Sequence, residues 1–316
     1  MQEPTAVLRP EASASELRVI SSRQSAWQQI RDVWKYRELL AGLVRKELKV
    51  KYKDSVLGFV WSLLNPALTL TLFYIVFQII FANGIPRYAV LLACGLLVWN
   101  FYSSSVAGAT GAVVANSSIV KKVAFPREIL ALATVGASLV HFFLQCFVLL
   151  AALVLFHSTP AWGYMPLIPV ALFAVVLVAS AVGIFLSAFN VRMRDTQHLI
   201  EIALQLWMWS TPIVYPYMQV AHRLHDHSFL GMQHIEWIYR LNPITPVVMT
   251  FQRVFYNIRS APSTTGDHHT IFILPQHGSV WWYGGQLLGV CAFGAVALWL
   301  ALQYFGKVQA DFAEEL

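Results

Sequence analysis

The stretch that most constrains the fold runs from Lys51 to Phe81, where a lysine-rich approach leads directly into a long apolar segment. The 22 residues from Trp61 to Ala82 contain no charged side chain. As an α-helix they would be roughly 33 Å long, which is enough to cross the hydrocarbon core of a bilayer. The lysines mark the cytoplasmic end of this helix, because positive charge collects on that side of membrane proteins.

Composition places the whole chain in the same class. Hydrophobic residues make up 57% of the 316 positions and charged residues only 12%, which is far from an ordinary soluble domain. The basic pI of about 9.3 reflects lysines and arginines at the edges of apolar segments, as the positive-inside rule requires, so we expect no nucleic-acid partner. The three cysteines all lie within apolar runs and indicate packing positions. We therefore predict an all-α, polytopic membrane protein.

Six segments are long and apolar enough to cross the membrane. Lysine and arginine are concentrated before the first segment and in the loops after the second and fourth, which predicts that both termini are cytoplasmic. The fifth segment is short and starts beside Glu201. The predicted spans are residues 61–82, 88–114, 129–156, 167–189, 199–215 and 281–305.

The region before the first span divides into two parts. Residues 1–24 are polar and without periodicity, which predicts a mobile cytoplasmic tail, whereas residues 25–316 form a single transmembrane domain. Within residues 25–52, apolar positions such as Trp27, Ile30 and Trp34 recur at helical spacing between basic residues. This pattern predicts an amphipathic helix on the inner membrane surface, either as a simple anchor or as a docking surface for a cytoplasmic partner.

Residues 216–280, between the fifth and sixth spans, are too long for a simple turn and too apolar for a linker. One short helix is predicted around Trp237, ending at Asn242 and Pro243. A second begins with Thr245 as its cap and Pro246 in the first helical position. Neither is long enough to cross, so we expect both to be re-entrant or to lie flat at the outer surface.

Several motifs occur in a characteristic order: KYKDSVLGFVWSLLNP before the first span, KKVAFPRE, NVRMRDTQH, STPIVYP, and RLNPITPVVMTFQRVFYN after the fifth. Together they resemble the transmembrane subunit of bacterial polysaccharide exporters of the type-2 ATP-binding-cassette superfamily. The resemblance implies a homodimer of six-span subunits in the bacterial inner membrane. It also implies two copies of a separate ATP-binding subunit, which would carry ATP and Mg, and a lipid-linked polysaccharide substrate.

The chain itself shows no means of hydrolysing ATP. Its only Gly-Lys pair, Gly306 and Lys307, is followed by valine and does not form a phosphate-binding loop. The spans also carry almost no ionisable groups, which argues against proton- or ion-coupled transport. We therefore expect a transport subunit, not an enzyme, with no cofactor of its own.

The inner loops contain candidate contacts with the ATP-binding subunit. Their cations could be no more than positive-inside flanks, but the resemblance implies that Phe125 and Pro126 belong to a coupling element. Near the fourth span, Arg194 and Asp195 either pair locally or hold the amphipathic helix. The predicted coupling residues are Trp34, Lys121, Lys122, Phe125, Pro126, Arg127, Arg194 and Asp195.

Aromatic side chains on the spans form a second group of candidate site residues. Most belong to interfacial belts or to packing, but neighbouring rings in mid-span offer a flat surface over which sugar rings can slide. We predict a translocation path at Phe73, Tyr74, Phe77, Trp207 and Tyr215. A gate is predicted beyond it, at Asn242, Pro243, Pro246, Phe251 and Arg253.

Two questions stay open at this level. Seven of the ten histidines lie in residues 216–280, but their spacing matches no compact zinc site, so we expect a polar loop and no metal. Among substrates the resemblance favours O-antigen, with capsule, teichoic acid or small amphiphilic drugs as alternatives. A membrane-embedded glycan transferase is less favoured, since no catalytic motif is present.

Overall fold

The computed structural model describes residues 26–52, 60–123, 125–220, 241–262, 270–276, 278–309 and 312. Three predictions lie outside these residues. They are the mobile tail at 1–24, the short helix around Trp237, and all seven histidines of the segment 216–280.

The described chain is built from ten α-helices and one small ribbon. The third helix, α3, continues without a break into a π-helical segment, Ile75–Ile80. The helices are α1 Ala26–Lys35, α2 Arg37–Tyr52, α3 Val60–Tyr74, α4 Tyr88–Ala115, α5 Ser117–Lys122, α6 Glu128–Leu155, α7 Leu167–Arg192, α8 Thr196–Trp209, α9 Ile244–Phe251 and α10 Val280–Val308.

Within the described residues, five helices are long and apolar enough to cross a membrane. They are α3 with its π-helical extension, α4, α6, α7 and α10, with lengths of 21 to 29 residues. They coincide with five of the six predicted spans, because a lipid-grade apolar run has to form a helix that satisfies its own backbone.

The predicted fifth span differs from the structure. Instead of continuing to residue 215, α8 has 14 residues and ends at Trp209, which makes it roughly 21 Å long. The chain then turns from Ser210 to Pro216 before one further helical turn at 217–220. Pro212 and Pro216 lie in this break, where proline cannot donate the hydrogen bonds that a continuous helix needs.

The core forms where α4 packs against α6 and α7, and α10 packs along α7. A Cβ atom added to Gly183 of α7 would lie 2.6 Å from the Cβ of Ala109 in α4, so only glycine allows the two helices to approach this closely. Helix α3 lies at the edge and contributes no buried residue.

The predicted amphipathic helix is two helices, separated at Tyr36. Helix α1 buries Ala26 and Gln29, while Trp27 and Trp34 on another face are 76% and 75% exposed. Helix α2 packs against α6. The face that carries the two tryptophans is therefore free of the chain's own core, as both an anchor and a docking surface require.

Between α8 and α10 the chain forms α9, a π-helical turn at Gln252–Tyr256, and a two-stranded antiparallel ribbon. All eight residues of α9 are buried, because α4, α7 and α10 pack around it. The ribbon pairs β1, Ser260–Pro262, with β2, Thr270–Phe272. The all-helical prediction did not anticipate this ribbon, since each strand is only three residues long.

Candidate functional site

A cavity of about 870 Å³ opens between α3, α4, α6 and α8, with the end of α2 at its edge. Its lining places many polar side chains among apolar ones, although the helices that form it are mostly apolar. Amide groups come from all four helices and are joined by an imidazole and a carboxylate: Asn65, Asn100, His141, Gln145, Glu201 and Gln205. Polar side chains at membrane depth are costly, and their convergence on one space indicates a functional site.

The prediction that the spans hold almost no ionisable groups did not anticipate a cavity lined by two of them. His141 of α6 and Glu201 of α8 both line it, although neither is among the site residues that the sequence predicts. The sequence did contain a signal, because Asn65, Asn100 and Gln145 are amides inside otherwise apolar segments. What it could not show is that residues of four helices face the same space.

Asn100 and Gln145 are joined across the cavity wall. The side-chain amide of Asn100 donates a hydrogen bond to Gln145 Oε1 at 3.3 Å, between α4 and α6. Both side chains are half-buried. An amide has two N–H donors and an oxygen acceptor, so this contact leaves Asn100 Oδ1 and Gln145 Nε2 for a ligand.

The edge of the cavity has a different chemistry. Lys51 lies there at the end of α2, and partial burial lowers the pKa of its ammonium group. Trp61 and Trp99 add aromatic surface to the lining. The cavity therefore combines hydrogen-bonding groups, flat apolar surfaces and a single described cation.

The predicted path residues of α3 lie beyond the cavity instead of in it. The lining of α3 ends at Thr69, and Phe73 follows one turn later. The Phe73 ring lies 6.0 Å from that of Phe77 and 6.4 Å from that of Trp209, which ends α8. Tyr74 packs against Phe156 at 5.8 Å. These rings form an aromatic layer next to one end of the polar cavity.

The other two predicted path residues, Trp207 and Tyr215, make specific contacts at the break after α8. Trp207 packs edge-on against Tyr102 with 5.3 Å between ring centroids. Its indole N–H donates a hydrogen bond to Asn242 Oδ1. The Tyr215 hydroxyl donates to the carbonyl of Trp209. Both residues therefore have a structural role that the aromatic pattern did not reveal.

Asn242, predicted as a gate residue, makes four hydrogen bonds at this break. Its Oδ1 accepts from the indole of Trp207 and from the backbone N–H of Ile244, both at 3.0 Å. Its Nδ2 donates to Thr211 Oγ1 at 2.9 Å and to the carbonyl of Ser210 at 3.3 Å. The amide thus joins the end of α8 to the start of α9. It also holds the entry to α9, whose N-cap position is occupied by Pro243 and not by Thr245 as the sequence predicted.

Further side chains satisfy the carbonyl groups that the prolines leave without helical partners. Gln252 Nε2 donates to the Pro212 carbonyl at 2.9 Å, and the Tyr88 hydroxyl donates to the Val214 carbonyl at 2.6 Å. Gly95 of α4 allows Ile213 to approach, since an added Cβ would lie 2.9 Å from Ile213 Cγ2. Non-helical backbone inside a membrane protein is stable only with such partners.

The remaining predicted gate residues lie on α9 or directly beside it. Pro243 and Pro246 lie at its start and line a smaller cavity of about 290 Å³ against α10. Phe251 packs edge-on against Phe142 of α6 at 6.0 Å. Helix α9 is therefore packed against the core helices α6 and α10.

Arg253 is 5% exposed and is held by two neighbours. Its Nη1 donates to Asn257 Oδ1 at 2.6 Å, and its guanidinium carbon lies 4.3 Å from the centre of the Tyr164 ring. Interaction with this guanidinium lowers the pKa of the Tyr164 phenol. The arginine thus ties the π-helical turn after α9 to the loop between α6 and α7.

The predicted coupling residues lie in three separate places. Lys121 and Lys122 are exposed at the end of α5, followed by Phe125 and Pro126, which are half-buried. Trp34 is exposed on α1. Arg194 and Asp195 are exposed in the turn before α8, where the Asp195 carbonyl accepts hydrogen bonds from the first turn of that helix.

Arg127 differs from the other coupling residues because it packs inside the chain. Its guanidinium donates to the carbonyl of Gln309 and lies over the Phe312 ring. It therefore fixes the start of α6 against the end of α10. Another inner contact joins α2 to the end of α4, where Lys46 Nζ donates to Asn116 Oδ1 at 2.6 Å.

Residues 38–256 match the family model described as ABC-2 type transporter. The chain is 29% identical over 287 residues to the O-antigen export system permease protein RfbA of Myxococcus xanthus, which covers 91% of this chain and 98% of that protein. It is also 29% identical over 279 residues to a protein of the same name from Klebsiella pneumoniae, covering 88% of this chain and 95% of the relative.

Proposed function

Because the chain belongs to the ABC-2 type transporter family, we propose that it is the membrane subunit of an ATP-driven exporter that moves lipid-linked O-antigen polysaccharide across the bacterial inner membrane. Relatives named O-antigen export system permease, aligned over nearly their whole length, support this substrate. The chain is a multi-pass membrane protein and a transport subunit. ATP and Mg bind a separate subunit.

The polar cavity is the observation that carries the proposal. A sugar polymer brings many hydroxyl groups into a membrane that offers them no water, so each one needs a protein partner. The cavity supplies amides such as Asn65, Asn100 and Gln145 from several helices and is about 870 Å³ in volume. This space fits a segment of glycan chain.

The assembly consists of two copies of this chain and two ATP-binding subunits. Helix α3 buries none of its residues within one copy, although it forms part of the cavity wall. A second copy that faces α3 would close the space into a conduit. Helix α8, the break at 210–216 and the following helical turn make the sixth crossing, with α9 as a re-entrant helix and both termini in the cytoplasm.

Three zones follow one another along the conduit. The glycan enters the polar cavity, passes the aromatic layer formed by Phe73, Tyr74 and Phe77 with Trp207 and Tyr215 beside it, and leaves through the gate. Flat rings suit this middle position, because they let sugar rings slide without a fixed set of hydrogen bonds. The gate residues are Asn242, Pro243, Pro246, Phe251 and Arg253.

The ATP-binding subunit contacts the exposed loop that carries Lys121 and Lys122, with Phe125 and Pro126 behind it. Trp34 on α1 and the turn with Arg194 and Asp195 complete the contact. Arg127 connects this surface to the end of α10 through Gln309 and Phe312. Force applied to the loop thereby reaches the transmembrane helices.

A genetic experiment and a biochemical experiment test the function. Deletion of the gene is expected to leave O-antigen inside the cell, detected chemically, and the purified chain is expected to co-isolate with an ATP-binding subunit whose activity rises with polysaccharide. The proposal is wrong if no ATPase is recruited, or if only small amphiphiles stimulate it.

A matched pair of charge reversals tests the coupling surface. We expect Lys122→Glu to reduce recovery of the ATP-binding subunit, because it changes the charge of the exposed loop. Lys307→Glu reverses an exposed cation at the end of α10 and is expected to leave recovery unchanged. Equal loss in both variants would show a nonspecific charge effect instead of a docking site.

A further inference from the structure

We infer that the cavity selects its cargo by charge and admits an uncharged, hydroxyl-rich glycan while rejecting a polyanionic one. The inference rests on the proposed function and adds a substrate class to it. It follows from which groups line the cavity and from which groups its described lining does not provide.

The hydrogen-bonding groups of the cavity wall favour a ligand that is rich in hydroxyl groups. The Asn100–Gln145 contact leaves one amide oxygen and one amide nitrogen for a ligand. Ser104 donates its hydroxyl proton to the backbone carbonyl of Asn100 at 2.6 Å. The hydroxyl oxygen of Ser104 is therefore left as an acceptor. Neighbouring donors and acceptors of this kind match a sugar hydroxyl, which donates and accepts at once.

The charged groups of the lining disfavour a polyanionic ligand. In the part of the lining that the structure describes, the ammonium and carboxylate groups are those of Lys51 and Glu201, which are opposite in sign. A polymer with an anion on each repeat would bring several charges into this space against one cation and one carboxylate. Unpaired charge at membrane depth is expensive, and Glu201 would repel it further.

The aromatic surfaces of the lining favour an uncharged sugar ring. Trp61 and Trp99 lie among the polar groups of the lining. An aromatic face can stack against the C–H face of a neutral sugar ring, whereas an anionic substituent is repelled by its negative quadrupole. The tryptophans thus favour the same class of glycan as the amides.

Binding of two labelled oligosaccharides to the exporter complex in nanodiscs tests the inference. The neutral probe is maltoheptaose and the anionic probe is tetrasialic acid. Wild type is expected to bind the neutral probe about tenfold more tightly. Gln145→Lys should narrow this ratio by supplying a cation inside the cavity, and Gln145→Leu should weaken neutral binding.

Gln219→Leu serves as the control, because Gln219 is an exposed amide that does not line this cavity. It should bind both probes as wild type does, and thermal unfolding should verify that every variant folds. Equal or tighter binding of tetrasialic acid by wild type would overturn the inference, as would no binding of maltoheptaose.

Export in cells distinguishes charge selection by the cavity from the proposed exporter function itself. Two host strains that lack their own exporter, one with a neutral and one with an acidic polysaccharide, receive the genes for the complex. Recovery of the neutral polymer alone supports the inference. Equal recovery of both overturns it but leaves the proposed function standing, whereas recovery of neither overturns both.

Discussion

At the scale of single residues, one amide accounts for the geometry of the break after α8. Asn242 uses both oxygen lone pairs and both N–H groups, toward Trp207, Ile244, Thr211 and Ser210. No isosteric residue can repeat this set. Aspartate lacks the donors, and leucine lacks every polar group.

We predict that Asn242→Leu lowers the free energy of unfolding by about 2 kcal/mol or more, because it leaves the Trp207 indole and the Ile244 amide without an acceptor. The midpoint of thermal unfolding in detergent measures the effect. Gln219→Leu, which removes an exposed amide from the same segment, is the control. Similar midpoints for the two variants would contradict the prediction.

Local chemistry predicts a helix that starts at Thr245 and Pro246, and α9 is that helix, although it begins at Ile244 after Pro243. The helix that was predicted to end at Asn242 and Pro243 lies outside the described residues. The partner Trp207, 35 positions earlier, could not be predicted, because aromatic periodicity does not show what an indole N–H will meet. The cavity amides were missed for the same reason.

At the scale of elements, the close contact between α4 and the break depends on Gly95. Its position leaves no room for a side chain, since an added Cβ would lie 3.0 Å from the backbone Cα of Ile213 as well as 2.9 Å from its Cγ2. We predict that Gly95→Ala destabilises the protein by about 1–3 kcal/mol through overpacking. Thermal unfolding provides the measurement.

Gly42→Ala is the opposite case in the same experiment. Gly42 lies on α2 with nothing within 4 Å of its added Cβ, so the substitution should stabilise by up to about 1 kcal/mol through helix propensity. Equal effects of the two substitutions would show that the contact between α4 and Ile213 does not constrain the fold.

Five long helices could be predicted from hydropathy, because an unbroken apolar run leaves the chain no alternative in lipid. The end of α8 could not be predicted in this way. Hydropathy counts Pro212 and Pro216 as neutral interruptions, whereas the break exists because Gln252 and Tyr88 satisfy its carbonyl groups. Such contacts between distant parts of the chain leave no local pattern.

The aromatic layer makes a separate prediction for α3. Replacing Phe73 and Phe77 by alanine removes the stacked pair without altering the exposed loop at Lys121. We expect surface polysaccharide to fall severalfold, because the sliding surface is lost, while recovery of the ATP-binding subunit stays at the wild-type level. Normal export by the double variant would refute the path.

At the scale of the whole molecule, the polar cavity and the aromatic layer lie in sequence along α3 and α8. On α3 the cavity lining ends at Thr69 and the layer begins at Phe73. On α8 the lining ends at Met208 and Trp209 joins the layer. This order predicts a conduit that is open on the cavity side and closed beyond the rings when no ATP is turned over.

Thiol labelling in inside-out vesicles tests this order. Single cysteines are placed at Asn65, Gln205 and Phe77 after Cys94, Cys146 and Cys291 are changed to alanine. The cavity positions should react with a charged, membrane-impermeant reagent at rest. Phe77→Cys should react only when the ATP-binding subunit and ATP are present, because the remaining rings of Phe73 and Trp209 exclude the reagent. Leu288→Cys, on the exposed apolar surface of α10, should stay unlabelled throughout. Rapid labelling of Phe77→Cys at rest would show that the layer is open and that the closed point lies elsewhere.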